Sequence, residues 1–128
     1  MGIIWFNEDQ KTLITTIYDN NITLNKSCVN LIENAYSVML GLDYDQKVIH
    51  IKPLTKDVAT RGDISEKSQY KITIRSSYAR VCNISFINEI KKIIGSIDLK
   101  QSPQKFIATF DEQNKSFLID LNKEYVNG

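Results

Sequence analysis

Two stretches of alternating apolar and polar residues constrain the fold of this chain more than any other feature. They cover residues 36–51 and 105–121, and each is interrupted by a polar tip, at 43–46 and at 111–114. Alternation with a period of two is typical of half-buried strands, and a polar tip between two such strands predicts a β-hairpin. We therefore expect antiparallel sheet built around two hairpins, with Pro53 ending the first of them.

A short helix is predicted ahead of each hairpin. Asn25 is suited to cap the first helix, because apolar residues recur at helical spacing from Cys28 to Ala35. Ser85 is suited to cap the second, which is expected to end near Gly95. The apolar face of the second helix comprises Phe86, Ile90, Ile93, Ile94 and Ile97.

Further extended segments complete the pattern. Residues 13–18 are rich in β-branched side chains, and the turn residues at 19–21 end that segment. Ile14, Thr16 and Tyr18 lie on one face of the predicted strand. A strand is also predicted at 70–74, residues 76–82 are ambiguous, and the tail at 122–128 is expected to fray.

The two halves of the chain present the same order of elements. Placing Asn21 on Asn83 and Asp43 on Asp111 aligns strand, helix and hairpin, and brings Lys47 onto Lys115. This correspondence predicts an internal duplication of a β-α-β-β unit. The alternative is that two ordinary units share turn chemistry by chance.

The predicted fold class is α+β, a mostly antiparallel, barrel-like sheet with two short helices and a possible internal duplication. The 128 residues fit a single domain, 1–128. Its first unit would span 13–54 and its second 70–122. Residues 55–69 show little periodicity and are predicted to be a mixed-charge connecting loop.

Composition favours an ordinary globular domain. Hydrophobic residues make up 42% of the chain, so it can fold without disulfides or a metal. We interpret Cys28 and Cys82 as reduced and at least partly buried, with a bridge between them as the alternative. No window approaches the ~18 apolar residues of a membrane span, and Ile3–Phe6 is too short for a signal segment. The expected location is cytoplasmic, with no membrane partner.

Catalytic chemistry is not expected. His50 is the only histidine, and the chain has no glycine-rich phosphate loop, so neither a triad nor a nucleotide site can be assembled from the sequence. The acidic tips at 43–45 and 111–112 offer oxygen ligands, but acidic residues are also typical of turn geometry. We predict no enzyme activity, no cofactor and no metal.

Basic residues gather in the middle third of the chain. All three arginines, Arg61, Arg75 and Arg80, lie there, and arginine is well suited to phosphates and guanine edges. The net charge is only +1, so nucleic-acid binding would require a local patch. The alternative is a solvated surface, because Asp57, Asp63 and other acidic residues are interspersed.

The stretch 22–54 resembles an AbrB/SpoVT-type swapped-hairpin unit. Leu24-Asn25-Lys26 stands where the family has a Leu-Pro-Lys-like step before a short helix, and Ile51-Lys52-Pro53 closes the hairpin. Asn25 replaces the usual proline, and Val29 stands where the family often has a basic residue. The whole chain is also similar to a group of bacterial proteins with this order of elements.

The resemblance implies a barrel and a role in DNA binding. Family members dimerise, each chain supplying half a barrel, and many bind DNA as transcription regulators or antitoxins. A duplicated chain would build the barrel from its own halves. Together with the clustered arginines, this makes Lys26, Arg61, Arg75 and Arg80 the candidate nucleic-acid-binding residues.

The first functional hypothesis is therefore a non-enzymatic, DNA-binding regulatory module. The second is a protein-interaction or assembly accessory protein that contacts a partner, or a second copy of itself, through Ile3–Phe6.

Overall fold

A computed structural model describes residues 12–32, 34–95 and 98–125 of the chain. Within these ranges the chain forms eight strands and three α-helices, together with a single 3₁₀ turn at Glu66–Ser68. In chain order the elements are β1 (Leu13–Ile17), β2 (Ile22–Asn25), α1 (Lys26–Val29), β3 (Ser37–Asp43), β4 (Val48–Leu54), α2 (Lys56–Thr60), β5 (Thr73–Ile74), β6 (Tyr78–Val81), α3 (Ile84–Ile94), β7 (Gln104–Asp111) and β8 (Ser116–Glu124).

The eight strands form one curled, antiparallel sheet in the order β3-β4-β8-β7-β1-β2-β6-β5. Its two edges are joined at one point, where Val38 and Tyr70 form an isolated antiparallel bridge. The N–H of Val38 donates to the carbonyl of Tyr70 at 2.9 Å, and the N–H of Tyr70 donates back at 2.8 Å. The predicted fold class, an α+β protein with a mostly antiparallel, barrel-like sheet, is confirmed.

The core lies on the concave side of this sheet. In the pair β4–β8, Ile49 is opposite Ile119 and Ile51 is opposite Phe117, and all four side chains are fully buried. The two hairpins predicted from alternation are therefore present, with their apolar residues inward. Helix α3 adds Ile87 and Ile90 to the same core.

Helix α1 is shorter than the sequence pattern predicts. Asn25 is its N-cap as expected, its side chain accepting from the N–H of Cys28 at 3.4 Å. The helix ends at Val29, because the N–H groups of Leu31 and Ile32 donate to carbonyls three residues back instead of four. The chain therefore continues as tight turns, and Leu31 is 42% exposed.

Helix α3 begins earlier than predicted. Its N-cap is Asn83, whose side chain accepts from the N–H of Phe86 at 2.8 Å, so Ser85 lies inside the first turn. The helix ends before Gly95, which has a φ of 90° that favours glycine. The inward face includes Ile87, which the predicted face omits, whereas Ile97 lies outside the described residues.

The connector 55–69 is not a structureless loop, and the structure has three helices where two were predicted. Thr55 caps α2, accepting from the N–H of Val58 at 3.4 Å, and Ala59 is buried. A five-residue helix makes little more than one turn, so it leaves no periodic pattern in the sequence.

The face of β1 that points into the core is the one opposite Ile14 and Thr16. Thr15 and Ile17 are fully buried, and Leu13 packs against the core, so the odd-numbered residues face inward. The β-branched composition of this segment did not distinguish its two faces, because Ile14 and Ile17 are equally apolar. Strand β8 also runs on to Glu124, through part of the tail that was expected to fray.

Pro53 does not end β4, which continues to Leu54. Pro53 lies opposite Val38 in the register, and the N–H and carbonyl of Val38 both pair with Tyr70 on the other side. The proline therefore occupies a position where no hydrogen bond is required of its missing N–H.

Each half of the described chain contains two strands, a helix and two strands, in addition to α2 and the 3₁₀ turn. The predicted units at 13–54 and 70–122 contribute alternately to a single sheet. The apolar run Ile3–Phe6 lies outside the described residues. None of the described helices is long and apolar enough to cross a membrane.

Candidate nucleic-acid interface

The outer surface of β5, β6 and β2 carries most of the basic residues singled out from the sequence. In the register, Arg80 of β6 lies between Thr73 of β5 and Thr23 of β2. Ala79 and Val81 are buried, so the alternation of a strand directs Arg80 outward. The ambiguous segment 76–82 is thus a strand with a basic outer face.

Arg80 stacks on an aromatic ring of its own strand. The guanidinium carbon lies 4.9 Å from the centroid of the Tyr78 ring. Tyr78 is half-buried and Arg80 is exposed, so the ring supports the guanidinium from the side of the protein. A cation held over an aromatic face is stabilised by the negative potential of the ring.

Arg75 lies at the turn between β5 and β6. Its N–H donates to the carbonyl of Tyr78 at 2.8 Å and closes the hairpin around Ser76 and Ser77, which are both exposed. Lys71 is exposed on the chain leading into β5. The hairpin therefore presents cations and hydroxyl groups together.

Lys26 joins the same surface from β2. It follows Asn25, which lies opposite Tyr78 in the β2–β6 register. The Asn25 amide donates to the carbonyl of Thr12 at 2.9 Å, and its oxygen accepts from the N–H of Ile14 at 3.2 Å. These bonds fix the point at which Lys26 leaves the sheet. We refer to Lys26, Lys71, Arg75, Tyr78 and Arg80 as the basic face.

Acidic residues are absent from the segments that form the basic face. Residues 20–32 and 70–82 contain four lysines and arginines and no aspartate or glutamate. Because the whole chain has a net charge of +1, the remaining residues together carry a net charge of −3. The nearly neutral total therefore conceals a segregation of charge, and the sheet carries its cationic part on β2, β6 and β5.

The basic face has a boundary at β1. Thr16 of β1 lies opposite Thr23, but only 9% of Thr16 is exposed. The accessible row of side chains therefore ends at Thr23, and the face is three strands wide.

Arg61 is placed differently from the other three predicted contact residues. It caps the C-terminus of α2 and forms an exposed ion pair with Asp63 at 3.7 Å. The strand register that brings Arg75 and Arg80 together, with Lys26 beside them, does not include it. Tyr78, in contrast, was not singled out in the sequence, although the i, i+2 spacing of Tyr78 and Arg80 indicates a shared face once the segment is known to be a strand.

Other reactive groups lie elsewhere. His50 is exposed on β4, opposite Leu118. Both cysteines are free thiols, Cys28 fully buried and Cys82 exposed, although both were predicted to be at least partly buried. Within the described ranges, no three histidine, cysteine or acidic residues are grouped so that they could hold a metal ion.

A groove of about 410 Å³ lies on another part of the surface, where the end of α1 approaches β4. Leu31, Ala35, Pro53 and Phe110 form much of its lining, with Lys115 as its charged residue. It contains none of the residues of the basic face.

Comparison with known proteins finds no matching family model, no similar curated protein and no similar solved structure.

Proposed function

We propose that the protein binds nucleic acid through the basic face. The observation that carries this proposal is the grouping of Arg80 on β6, Arg75 at the β5–β6 turn and Lys26 just after β2, in segments that contain no acidic residue. Among the described residues, ion pairs occupy Arg61, Lys92 and Lys115, and none involves a cation of the basic face. These cations therefore remain available to an external anion.

The chemistry of the face suits a phosphodiester backbone. Arginine donates up to five hydrogen bonds in a fixed geometry that matches phosphate oxygens. The hydroxyl groups of Thr73, Ser76 and Ser77 lie near the arginines and can donate to phosphate or sugar oxygens. Binding of this kind releases counterions, so its affinity is expected to fall steeply as salt is added.

Fluorescence anisotropy with labelled nucleic acids, at low salt and again near physiological salt, tests the proposal. The informative variant is Arg75→Ala/Arg80→Ala, and the matched control is Arg61→Ala, an exposed arginine outside the basic face. We expect the double variant to reduce the slope of log K against log salt by about two, and the control to leave it nearly unchanged.

Two results would contradict the proposal. One is the absence of binding to every nucleic acid at low salt. The other is an equal loss of affinity in the double variant and the control, which would show attraction by overall charge rather than by this surface. Either result would leave the protein-interaction hypothesis as the better account.

We further propose that the module is of AbrB-like regulatory type and arose by duplication. Three observations support this proposal. The halves share one order of elements, and Lys47 and Lys115 both adopt positive φ after their hairpin tips, at 61° and 52°. Asn25 and Asn83 cap corresponding helices, so the structure matches Asn83 with Asn25 instead of Asn21. A DNA target upstream of a bacterial operon would be sought by selecting bound fragments from genomic DNA, and random recovery would count against a regulator.

A further inference from the structure

We propose that the basic face binds single-stranded nucleic acid, with one unpaired base stacked on the Arg80 guanidinium above Tyr78. This inference rests on the proposed binding of nucleic acid through the basic face and adds the class of ligand. It competes with the AbrB-like regulatory type, for which the duplex would be the tighter ligand. It starts from the contact between the two side chains, which places a planar cation over an aromatic ring at 4.9 Å.

The guanidinium rests over the ring and stays accessible to a ligand. Tyr78 is half-buried beneath it, whereas Arg80 remains exposed. The ring therefore holds the guanidinium close to the sheet and restricts its motion before any ligand arrives. Unpaired bases stack on guanidinium planes as they do on aromatic rings, and less conformational entropy is lost when the platform is already ordered.

Groups that can hold the backbone of such a strand surround the platform. Thr73 and Thr23 flank Arg80 on the neighbouring strands, at the spacing of about 4.8 Å between paired strands. Arg75 lies two residues, about 7 Å, further along the chain from Thr73. A base on Arg80 would therefore have hydroxyl groups on both sides and a second arginine within reach of an adjacent phosphate.

Duplex nucleic acid suits this surface less well. Paired bases conceal their faces in the stack, so a duplex could use the platform only through its phosphates. Reading a groove requires a helix or a projecting ribbon, but α1 and α2 have only four and five residues. Helix α3 turns Ile87 and Ile90 into the core and carries Glu89, and the β5–β6 hairpin remains paired with β2.

The test compares three labelled probes of one mixed sequence of about 16 nucleotides, the upper end of the site sizes of single sheet-based modules. The probes are single-stranded DNA, single-stranded RNA and the DNA duplex, all measured by anisotropy at the same salt concentration. We expect at least one single strand to bind about tenfold more tightly than the duplex. The DNA and RNA arms show which sugar is preferred.

Arg80→Lys separates stacking from charge, because lysine keeps the cation and loses the plane. We expect about tenfold weaker binding of the single strand and less than a twofold change for the duplex. Arg61→Lys is the matched control, since Arg61 lies outside the basic face and pairs with Asp63, and we expect it to change single-strand affinity less than twofold. Both sites are exposed, and circular dichroism would confirm that both variants are folded.

The failures of the inference and of the proposed function are distinguishable. Duplex binding as tight as or tighter than single-strand binding, or equal effects of the two lysine variants, would overturn the inference and leave nucleic-acid binding standing. Failure of all three probes to bind at low salt would overturn both.

Discussion

Single residues in this protein acquire their chemistry from their position on the sheet. Arg80 points outward over Tyr78 because Ala79 and Val81 point inward. Cys28 is completely buried, and this burial raises the pKa of its thiol from 9.0 to about 12. The same residue type at position 82 is exposed to solvent.

The two cysteines are therefore expected to differ sharply in reactivity. The thiolate is the nucleophile, and burial keeps Cys28 both protonated and inaccessible at neutral pH. A chromogenic disulfide reagent should label one thiol rapidly in the native protein and two in denaturant. Cys82→Ser should abolish the rapid phase, and rapid labelling that persists in this variant would show that Cys28 is accessible.

Thr15 offers a second prediction at this scale. Its hydroxyl is buried and has no hydrogen-bond partner in the part of the chain that the structure describes. A buried hydroxyl without a partner destabilises the native state, so Thr15→Val should raise the free energy of unfolding by about 1 kcal/mol. Urea denaturation would measure the change.

Thr23→Val is the matched control, because the Thr23 hydroxyl faces outward and donates to the side-chain oxygen of Asn21 at 2.7 Å. We expect that variant to be no more stable than the wild type. A destabilised Thr15→Val variant would mean that the hydroxyl has a partner in solution.

At the scale of elements, the hairpins could be predicted from the sequence, whereas the helix boundaries could be predicted only in part. Alternation marks both faces of β3 and β8 clearly, since the residues on their two faces differ in polarity. The N-cap of α3 could not be predicted from the sequence, because Asn83 and Ser85 are both good N-cap residues. Only the path of the chain into the helix selects Asn83. Helix α2 was missed because one turn leaves no period to detect.

Gln69 holds the connector 55–69, which contains α2, against the sheet. Its side-chain oxygen accepts from the hydroxyl of Ser37 at 2.7 Å, and its amide donates to the carbonyls of Ala59 and Ile64 at 2.9 and 3.3 Å. The adjacent residue, Tyr70, makes the bridge that joins the sheet edges. Loss of the Gln69 side chain should therefore loosen both the packing of α2 and the Val38–Tyr70 bridge between the sheet edges.

We expect Gln69→Ala to lower the free energy of unfolding by about 2 kcal/mol, since it leaves several partly buried groups without partners. Gln113→Ala, a substitution of an exposed residue at a hairpin tip, serves as the control and should leave the free energy of unfolding nearly unchanged. Hydrogen exchange should accelerate at Tyr70 and Val38 in the first variant. Equal stability of the two variants would contradict this role.

At the scale of the whole molecule, a polar network joins the tip of the first hairpin to α3 in the second half. The hydroxyl of Tyr44 donates to Glu89 at 2.5 Å, and Lys92 donates to the other oxygen of Glu89 at 2.8 Å. Hydrogen bonds from Lys92 and Tyr44 lower the pKa of Glu89 below its usual value, and the bond to Glu89 raises the pKa of Tyr44.

The pH dependence of this network follows from the directions of these shifts. Because the pKa of Glu89 is lowered in the native state, its contribution to stability is present above the unfolded pKa of 4.5. That contribution is lost as the pH falls through the lower native pKa. Because the pKa of Tyr44 is raised in the native state, its contribution to stability is present below the unfolded pKa of 10.0. That contribution is lost as the pH rises through the higher native pKa.

Tyr44→Phe should therefore lower the urea midpoint at neutral pH and have a progressively smaller effect as the pH is lowered below 4.5 and Glu89 becomes protonated. Tyr36→Phe, at another exposed tyrosine, is the control and should show no such dependence. The side chains of Tyr44, Glu89 and Lys92 are exposed to solvent, so we expect the changes in urea midpoint to be small. An effect of Tyr44→Phe that is constant with pH would exclude the network as its cause.

The sequence by itself determined the two hairpins, the cap of α1 and the α+β class, because each depends on neighbours within a few residues along the chain. Tertiary structure decided which face of β1 points inward, how far β4 and β8 extend, and which cations share a surface. Lys26 and Arg80 are far apart in sequence and meet only through the pairing of β2 with β6. Strand register sets such contacts, and no local pattern records it.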